Sequence, residues 1–324
     1  MNIIEAINLA MLEEMRRDKK VFLLGEDVGK KGGVFKASSG LYEEFGEERV
    51  LDTPLSESLI VGLAVGASMY GYRPIAEMQF VDFILPAVNQ IVSEAAKMRY
   101  RSNNDWSCPL VIRAPYGGGI HGGLYHSQSL ESMFTIPGLR IVTPSNPYDA
   151  KGLLKASIRN DDPVLFLEHK RAYRSITGEV PLEDYTLPLD KAHIKQEGTD
   201  ITIITYGIGV SLALEVAETL KEEKGASIHI LDLRSLYPLD KESIVKAAQK
   251  TGKILLVTEA NKEGSIMSEV SATIAENCFF SLDAPIKIVA APDVPLMPYA
   301  SSMERFVLVD SDKIYKEASL LLDF

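Results

Sequence analysis

The chain has 324 residues, of which 46% are hydrophobic and 24% are charged, and its formal net charge is −11. This composition excludes a disordered or fibrous protein, and at about 150 residues per domain the length predicts two globular domains. The acidic balance argues against nucleic acid and against anionic membrane surfaces as partners.

The cysteines and the apolar segments indicate a protein of a reducing compartment. Cys108 and Cys278 show no metal-ligand spacing, and two cysteines in a chain of this length exclude a disulfide scaffold. The N-terminus forms an amphipathic helical pattern with several acids, unlike a signal or transit peptide. The most apolar run, residues 59–72, is too short to cross a bilayer. We therefore expect a soluble, cytoplasmic protein.

Short β-branched runs alternate with helix-like segments over the first half of the chain. This alternation predicts an α/β domain whose mostly parallel sheet has helices on both faces. Segment 57–70 is apolar nearly all round, which predicts a buried helix. The predicted strands are 21–24, 73–78, 110–114, 139–143 and 164–168, and the predicted helices are 57–70, 83–100 and 147–159.

A change of pattern near residue 170 indicates the connection between the domains. Residues 170–198 carry prolines and many charges but little periodicity, which is typical of a linker. Alternation then resumes, with predicted strands at 201–206, 227–232, 253–258 and 286–290. We therefore predict a first domain of residues 1–185 and a smaller α/β domain of residues 186–324.

Residues 117–122 read Gly-Gly-Gly-Ile-His-Gly and match the letters of the dinucleotide motif G-x-G-x-x-G. That motif needs a helix directly after it and an acid about 20 residues later, and neither is evident here. The pattern therefore favours a loop that passes close to another chain or to a ligand, rather than a nucleotide site.

Three side chains are candidates for a functional site. His126 lies in the glycine loop and can exchange a proton near neutral pH, although an ordinary surface histidine explains it equally well. Glu57 begins the apolar segment 57–70, where a first-turn acid favours the helix and desolvation would strengthen its hold on a proton. Glu26, at the end of the first strand, is either a ligand-binding acid or an ordinary loop charge.

Several strings, in order along the chain, resemble one family. The family is the beta subunit of the thiamin-diphosphate-dependent 2-oxo acid dehydrogenases, the E1 component of a multienzyme complex. Among its members, AEMQFVDF, RYRSNNDW and LYHSQS look closer to branched-chain 2-oxo acid dehydrogenase than to most pyruvate dehydrogenases. The strings that carry the resemblance are LLGEDVGKKGGVF, DTPLSES, AEMQFVDF, RYRSNNDW, VIRAPYGGGIHGGLYHSQS, PYDAKGLLKASIRNDDP and DLRSLYPLD.

The resemblance implies a pyrimidine-binding, transketolase-like first domain and a transketolase C-terminal-like second domain. It also implies thiamin diphosphate as cofactor. Family members hold the diphosphate and Mg²⁺ with a Gly-Asp-Gly motif and paired asparagines. Gly-Asp-Gly is absent here, which leaves Asn103-Asn104 an isolated pair. We therefore expect an E1 alpha subunit to hold Mg²⁺ and share the cofactor in an α2β2 heterotetramer.

The resemblance assigns catalytic roles to Glu57 and His126. Glu57, in the string T-P-L-x-E, would bond N1′ of the aminopyrimidine ring and support proton removal from the thiazolium. His126 matches a histidine that assists transfer of the acyl group to the lipoyl group of the E2 acyltransferase. The other residues expected to contact the cofactor are Leu55, Gln79 and Phe83.

The resemblance also implies an ion site and a docking surface. Family members bind K⁺ through backbone carbonyls at positions that match five residues of the first domain. The second domain would dock the peripheral-subunit-binding domain of E2 through Asp293 and the carboxylate of Phe324, and the lipoyl domain would visit the active site. The K⁺ positions are Leu110, Val111, Ser157, Asn160 and Asp162.

Alternative functions remain open at this point. In the same chemistry, the chain would be a pyruvate dehydrogenase E1 beta subunit or part of a broad-specificity enzyme, instead of a 3-methyl-2-oxobutanoate dehydrogenase. In another class, it would be a non-catalytic subunit that anchors E2. An NAD-binding dehydrogenase is disfavoured, because the glycine loop lacks the context of a dinucleotide site.

Overall fold

The computed structural model describes residues 1–324 and divides into two compact units. Unit 1 comprises Met1–Tyr116 and Met133–Leu189, and unit 2 comprises Gly117–Ser132 and Asp190–Phe324. Residues 117–132, which the sequence pattern predicts in the first domain, belong to unit 2 in the structure, where backbone amides of this segment bond to carboxylates of that unit.

Unit 1 is an α/β domain with a parallel sheet, as the alternating pattern predicted. Its strands lie in the order β5-β6-β4-β3-β1-β2, and every pairing between neighbours is parallel. The helices are α1 (Ile3–Arg17), α2 (Leu41–Phe45), α3 (Glu57–Met69), α4 (Met98–Arg101), α5 (Pro147–Arg159) and α6 (Ala172–Ser175). The strands are β1 (Val21–Gly25), β2 (Val50–Asp52), β3 (Arg73–Glu77), β4 (Val111–Tyr116), β5 (Arg140–Val142) and β6 (Val164–His169).

Unit 2 is a second, smaller α/β domain. Its sheet has the order β12-β11-β8-β9-β7, in which only β7 runs antiparallel to its neighbour. No helix of the chain combines the length and the apolarity needed to span a membrane. The strands are β7 (His193–Gln196), β8 (Ile201–Thr205), β9 (Ile228–Asp232), β10 (Ser235–Tyr237), β11 (Ile254–Asn261) and β12 (Lys287–Ala291). The helices are α7 (Ile208–Lys224), α8 (Lys241–Thr251), α9 (Ile266–Cys278), α10 (Ser301–Val307) and α11 (Ser311–Leu322).

The predicted continuous helix 83–100 is wrong. The segment is a 3-10 helix at Val81–Ala87, a π-helical turn at Gln90–Ala95 and the short helix α4. Pro86 lies inside the first of these and has no amide hydrogen to donate, which breaks the α-helical bonding pattern. The interruption leaves Phe83 on a tight turn.

The prediction that segment 57–70 is buried all round is also wrong. One face of α3 packs inward through Ile60, Val61 and Ala64, but the opposite face is exposed. A uniformly apolar pattern shows that a helix avoids water, but it does not show which chain supplies the cover. The exposed face consists of Leu59, Gly62, Leu63, Gly66, Met69 and the adjoining Tyr70.

The last part of unit 1 is not a free linker, because residues 181–187 are fastened to α5. Lys151 donates its Nζ proton to the carbonyl of Pro181 at 2.8 Å, and the Leu187 amide donates to the carbonyl of Gly152 at 3.2 Å. Arg159 and then Lys155 hold the pKa of Asp184 well below its usual range. These charge-assisted bonds anchor a segment that has no regular secondary structure of its own.

Candidate active site

Glu57 is the first residue of α3, where its carboxylate faces the positive end of the helix dipole. Ser56 before it is extended, and Ser58 after it donates its hydroxyl proton to the Pro86 carbonyl at 2.6 Å. That bond ties the start of α3 to the 3-10 segment Val81–Ala87. The Glu57 side chain is half-buried and Leu55, two residues earlier, is 80% exposed. The site is therefore open to solvent in the single chain.

A second carboxyl group lies close to Glu57. Glu26 follows β1 directly and is buried, and its Oε1 atom has no hydrogen-bond partner. Burial raises the pKa of Glu26, and the nearby charges of Glu57 and Asp27 raise it further. A buried carboxyl group without a partner either holds its own proton or awaits a donor from another molecule. The sequence left Glu26 undecided, and its burial supports the ligand-binding interpretation.

We predict that Glu26→Gln changes the pH dependence of stability. Because the pKa of Glu26 is raised in the folded state, the acid stabilises the fold when protonated, and this stability is lost as pH rises through the folded pKa. The substituted glutamine does not ionise. The free energy of unfolding of the variant should therefore rise relative to that of the natural chain as the pH goes from 5 to 8. The gain is about 1.4 kcal/mol for each tenfold difference in proton affinity between the folded and unfolded chain.

Urea unfolding at pH 5 and at pH 8 measures this difference. Glu43→Gln, which replaces an exposed first-turn acid of α2, is the matched control and should show no such trend. An equal Glu26→Gln effect at both pH values would contradict a raised pKa.

Phe83 stands at the end of a chain of aromatic contacts that begins in the core. Its ring meets Phe80 edge-on at 5.5 Å, Phe80 meets Phe35 at 5.4 Å, and Phe35 meets Tyr173 at 5.2 Å, all between ring centroids. Tyr173 donates its hydroxyl proton to Glu168 Oε2 at 2.6 Å. Contacts with buried aromatic side chains therefore fix the position of the half-buried Phe83 ring.

A buried ion cluster underlies this aromatic chain. Arg113 on β4 bonds both oxygens of Glu168 on β6, at 2.7 and 2.8 Å, and Glu77 Oε2 on β3 at 2.5 Å. All three side chains are at least 90% buried. Because the cluster joins three neighbouring strands, it fixes the carboxyl end of β3, after which Gln79 and Phe83 follow.

These residues fit one half of a thiamin diphosphate site. An aminopyrimidine ring needs a flat apolar surface and an acidic group opposite a basic ring nitrogen. Phe83 and the exposed Leu55 each offer an apolar side chain, and Glu57 with Glu26 offers the acids. Gln79 is half-buried on the segment between β3 and Phe83 and can add a polar contact. No group of three or more His, Cys, Asp or Glu side chains is arranged to hold a metal ion.

His126 lies in unit 2, after a 3-10 turn at Gly123–Tyr125, and is half-buried. The Gly117 amide donates to the Gln128 carbonyl at 2.9 Å and closes the loop at its base. The sequence suggested that the glycines allow a close approach to another chain or a ligand. In the structure they allow close approach to this chain itself, since a Cβ on Gly123 would lie 2.8 Å from the Tyr299 ring.

The five residues expected at a K⁺ ion lie in one region of unit 1, where α5 ends and β4 and β6 begin. Several of their carbonyl groups are engaged by the chain's own donors: Ser157 by the Asn160 amide, Leu110 by the Val164 amide, and Asn160 by Arg73. The Arg73 guanidinium places a positive charge against the Asn160 carbonyl, which opposes a cation at that oxygen. Val111 starts β4, and the Asp162 carboxylate accepts from Arg99 at 2.5 Å. The K⁺ ion stays a prediction of the resemblance.

The two residues expected to dock E2 lie on separate segments of unit 2. Asp293 follows β12 and accepts a hydrogen bond from the Glu263 amide at 3.3 Å. Phe324 follows α11 and its side chain is exposed. The contact with E2 stays a prediction.

Two protein-family models together match most of the chain. Residues 1–175 match the transketolase pyrimidine-binding domain, and residues 190–314 match the transketolase C-terminal domain. Over its full length the chain is 67% identical to 2-oxoisovalerate dehydrogenase subunit beta from Bacillus subtilis (strain 168), and it covers 99% of that protein. The chain belongs to the beta-subunit family of the 2-oxo acid dehydrogenases.

Two further comparisons set this family in context. The chain is 46% identical over its full length to the pyruvate dehydrogenase E1 component subunit beta of the same organism, again covering 99% of it. A split-gene transketolase, solved as an inactive beta4 tetramer, has the same fold, with a TM-score of 0.78 at 22% identity over 100% of this chain and 98% of that one. The family resemblance and the α/β fold class predicted from the sequence are confirmed.

Proposed function

We propose that this chain is the beta subunit of a thiamin-diphosphate-dependent dehydrogenase of branched-chain 2-oxo acids. The observation that carries the proposal is the buried acid Glu26 next to Glu57, at the start of the helix that Ser58 ties to the 3-10 segment of Phe83. The 67% identity to a 2-oxoisovalerate dehydrogenase beta subunit favours the branched-chain substrate. The 46% identity to a pyruvate dehydrogenase beta subunit keeps pyruvate as the second candidate.

The cofactor, when bound, would supply a nucleophilic carbon for the 2-oxo group and an acceptor for the electron pair that the departing CO₂ leaves behind. The residues of this chain act on its aminopyrimidine ring. Glu57 would hold a proton at N1′, Phe83 and Leu55 would pack against the ring, and Gln79 would fix its orientation. A proton shared between a half-buried acid and a ring nitrogen is more useful in catalysis than a salt bridge, since it can move during the reaction.

The exposed face of α3 supports dependence on an alpha subunit. This face begins beside Glu57 and presents apolar side chains and two glycines to solvent. Contiguous exposed apolar surface usually marks a contact with another protein, and glycines allow a close approach of backbones. A chain that covers this face would also shield Glu57 from water. We propose that it is the alpha subunit, which then contributes Mg²⁺ and the diphosphate site in an α2β2 assembly.

His126 and the second unit serve the later steps in this proposal. His126 would assist transfer of the acyl group to a lipoyl domain of E2. Asp293 and the Phe324 carboxylate would bind a basic patch on the peripheral-subunit-binding domain, and the net charge of −11 favours such a partner. A K⁺ ion is not required by any step proposed here.

Reconstitution with an E1 alpha subunit from the same organism tests the substrate. We expect CO₂ release and acylation of a lipoyl domain, with a kcat/KM for 3-methyl-2-oxobutanoate clearly above that for pyruvate. A preference for pyruvate would shift the assignment to the second candidate. The beta chain alone is the control, and it should be inactive because half of the site is missing. Activity of the complex that survives every change at Glu57 would instead support a subunit that only anchors E2.

A further inference from the structure

Two carboxylates of unit 2, one of them fully buried, hold the loop that carries His126. Glu259 on β11 accepts a hydrogen bond from the Gly118 amide at 2.5 Å. Glu304 on α10 accepts from the amides of Gly119 and His121, at 3.2 and 3.3 Å, and its second oxygen lies 2.6 Å from His121 Nδ1. Glu304 is only 1% exposed. A buried carboxylate that gathers amides from neighbouring positions of a loop holds that loop more firmly than neutral acceptors would.

The loop is shaped to reach these carboxylates. A Cβ on Gly118 would lie 2.8 Å from Leu308 Cδ2 and 2.9 Å from Met297 Cε, so a larger residue there would require these side-chain ends to shift. His121 adopts a left-handed backbone, with φ of 56°, which is unfavourable for a non-glycine residue. Its bonds to Glu304 through both amide and ring offset that strain.

The position of His126 depends on this anchored backbone. The loop is pinned at its base by the Gly117–Gln128 bond and in the middle by Glu304. His126 packs directly on Gly122, where a Cβ would lie 2.8 Å from the His126 Cβ. Loss of the Glu304 carboxylate would free a glycine-rich segment immediately before His126, and glycine offers many alternative conformations.

We propose that Glu304, supported by Glu259, is a positioning residue for His126. The inference rests on the role in acyl transfer proposed above for that histidine. It assigns Glu304 a function in delivery to the lipoyl group and not in the earlier release of CO₂, which is the task of unit 1 residues.

Two rates of the assembled complex distinguish a role in acyl transfer from a role in CO₂ release: the rate with the lipoyl domain and the rate with an artificial electron acceptor. We expect Glu304→Ala to lower kcat for acylation of the lipoyl domain on the order of 10²-fold, the size of effect that misplacement by an ångström produces. The rate with an artificial electron acceptor, which bypasses the lipoyl domain, should stay close to that of the natural complex. Glu304→Gln keeps an oxygen acceptor for the two amides and should restore most of the lost rate.

Two more variants test whether the position of His126 causes the loss. Gly122→Ala would place a Cβ 2.8 Å from His126 Cβ and 2.9 Å from the His126 carbonyl oxygen while Glu304 is intact, so it should displace His126 and give the same split even if Glu304→Ala folds poorly. Glu276→Gln removes an exposed charge from α9 of the same unit and should change neither rate. Faster hydrogen exchange of the amides of residues 118–121 in Glu304→Ala would show the lost anchor independently of activity.

The outcomes are distinguishable. An equal loss of both rates in Glu304→Ala and Gly122→Ala, or no loss in either, would overturn the positioning role while leaving the proposed function intact. If the natural complex oxidises no 2-oxo acid with either acceptor, the proposed function itself fails. Hydrogen exchange tests the anchor separately from activity. If the amides of residues 118–121 exchange at the same rate in Glu304→Ala as in the natural chain, Glu304 does not anchor the loop.

Discussion

Glu57→Gln should reduce the activity of the reconstituted complex about 10²- to 10⁴-fold, the range typical for loss of a general acid-base group. Glutamine has nearly the same shape as glutamate and keeps an oxygen beside α3, but it cannot hold and release a proton at a ring nitrogen. We expect the loss in kcat with both the lipoyl domain and an artificial acceptor, because the change affects the first chemical step. Steady-state CO₂ release and dye reduction measure it.

The matched control is Glu43→Gln, which removes an exposed first-turn acid from another helix of the same unit. It should leave both rates unchanged. If Glu57→Gln retains full activity while the alpha subunit is bound, the acid does not act on the cofactor. Assembly should be checked by gel filtration, because α3 also carries the exposed apolar face.

Arg113→Met should destabilise the chain by about 3–5 kcal/mol, the usual cost of removing one partner from a buried ion pair. The substitution leaves the carboxylates of Glu77 and Glu168 buried without their guanidinium, and methionine cannot donate to either. Because these acids would then bind protons more readily, the destabilisation should shrink as pH falls. Urea unfolding followed by tryptophan fluorescence and circular dichroism at pH 5 and pH 8 measures both effects.

A surface pair provides the control for Arg113. Arg16 bonds Glu44 through Nε at 2.6 Å with both side chains substantially exposed, so Arg16→Met should leave the urea midpoint unchanged. Adding Glu168→Gln to Arg113→Met should recover part of the lost stability, since one buried charge disappears. A loss as small as that of Arg16→Met would show that the buried cluster is dispensable.

Much of the architecture follows from local pattern. The spacing of apolar runs predicted two α/β units with mainly parallel strands, because residues of a strand or helix share a face at a fixed period. The predicted helix at 83–100 failed at Pro86, whose effect depends on how the flanking turns pack. The apolar string 57–70 predicted the helix but not its exposed face, because an apolar pattern carries no information about which partner covers it.

The sequence by itself determined the family, the two α/β units and the candidate roles of Glu57 and His126, because these depend on short strings read in order. Tertiary structure alone decided that Glu26 is a buried acid next to Glu57 and that Glu304 binds a loop 185 positions earlier in the chain. Burial and contacts between distant residues arise only when the chain folds, and no local pattern encodes which amides a remote carboxylate will meet.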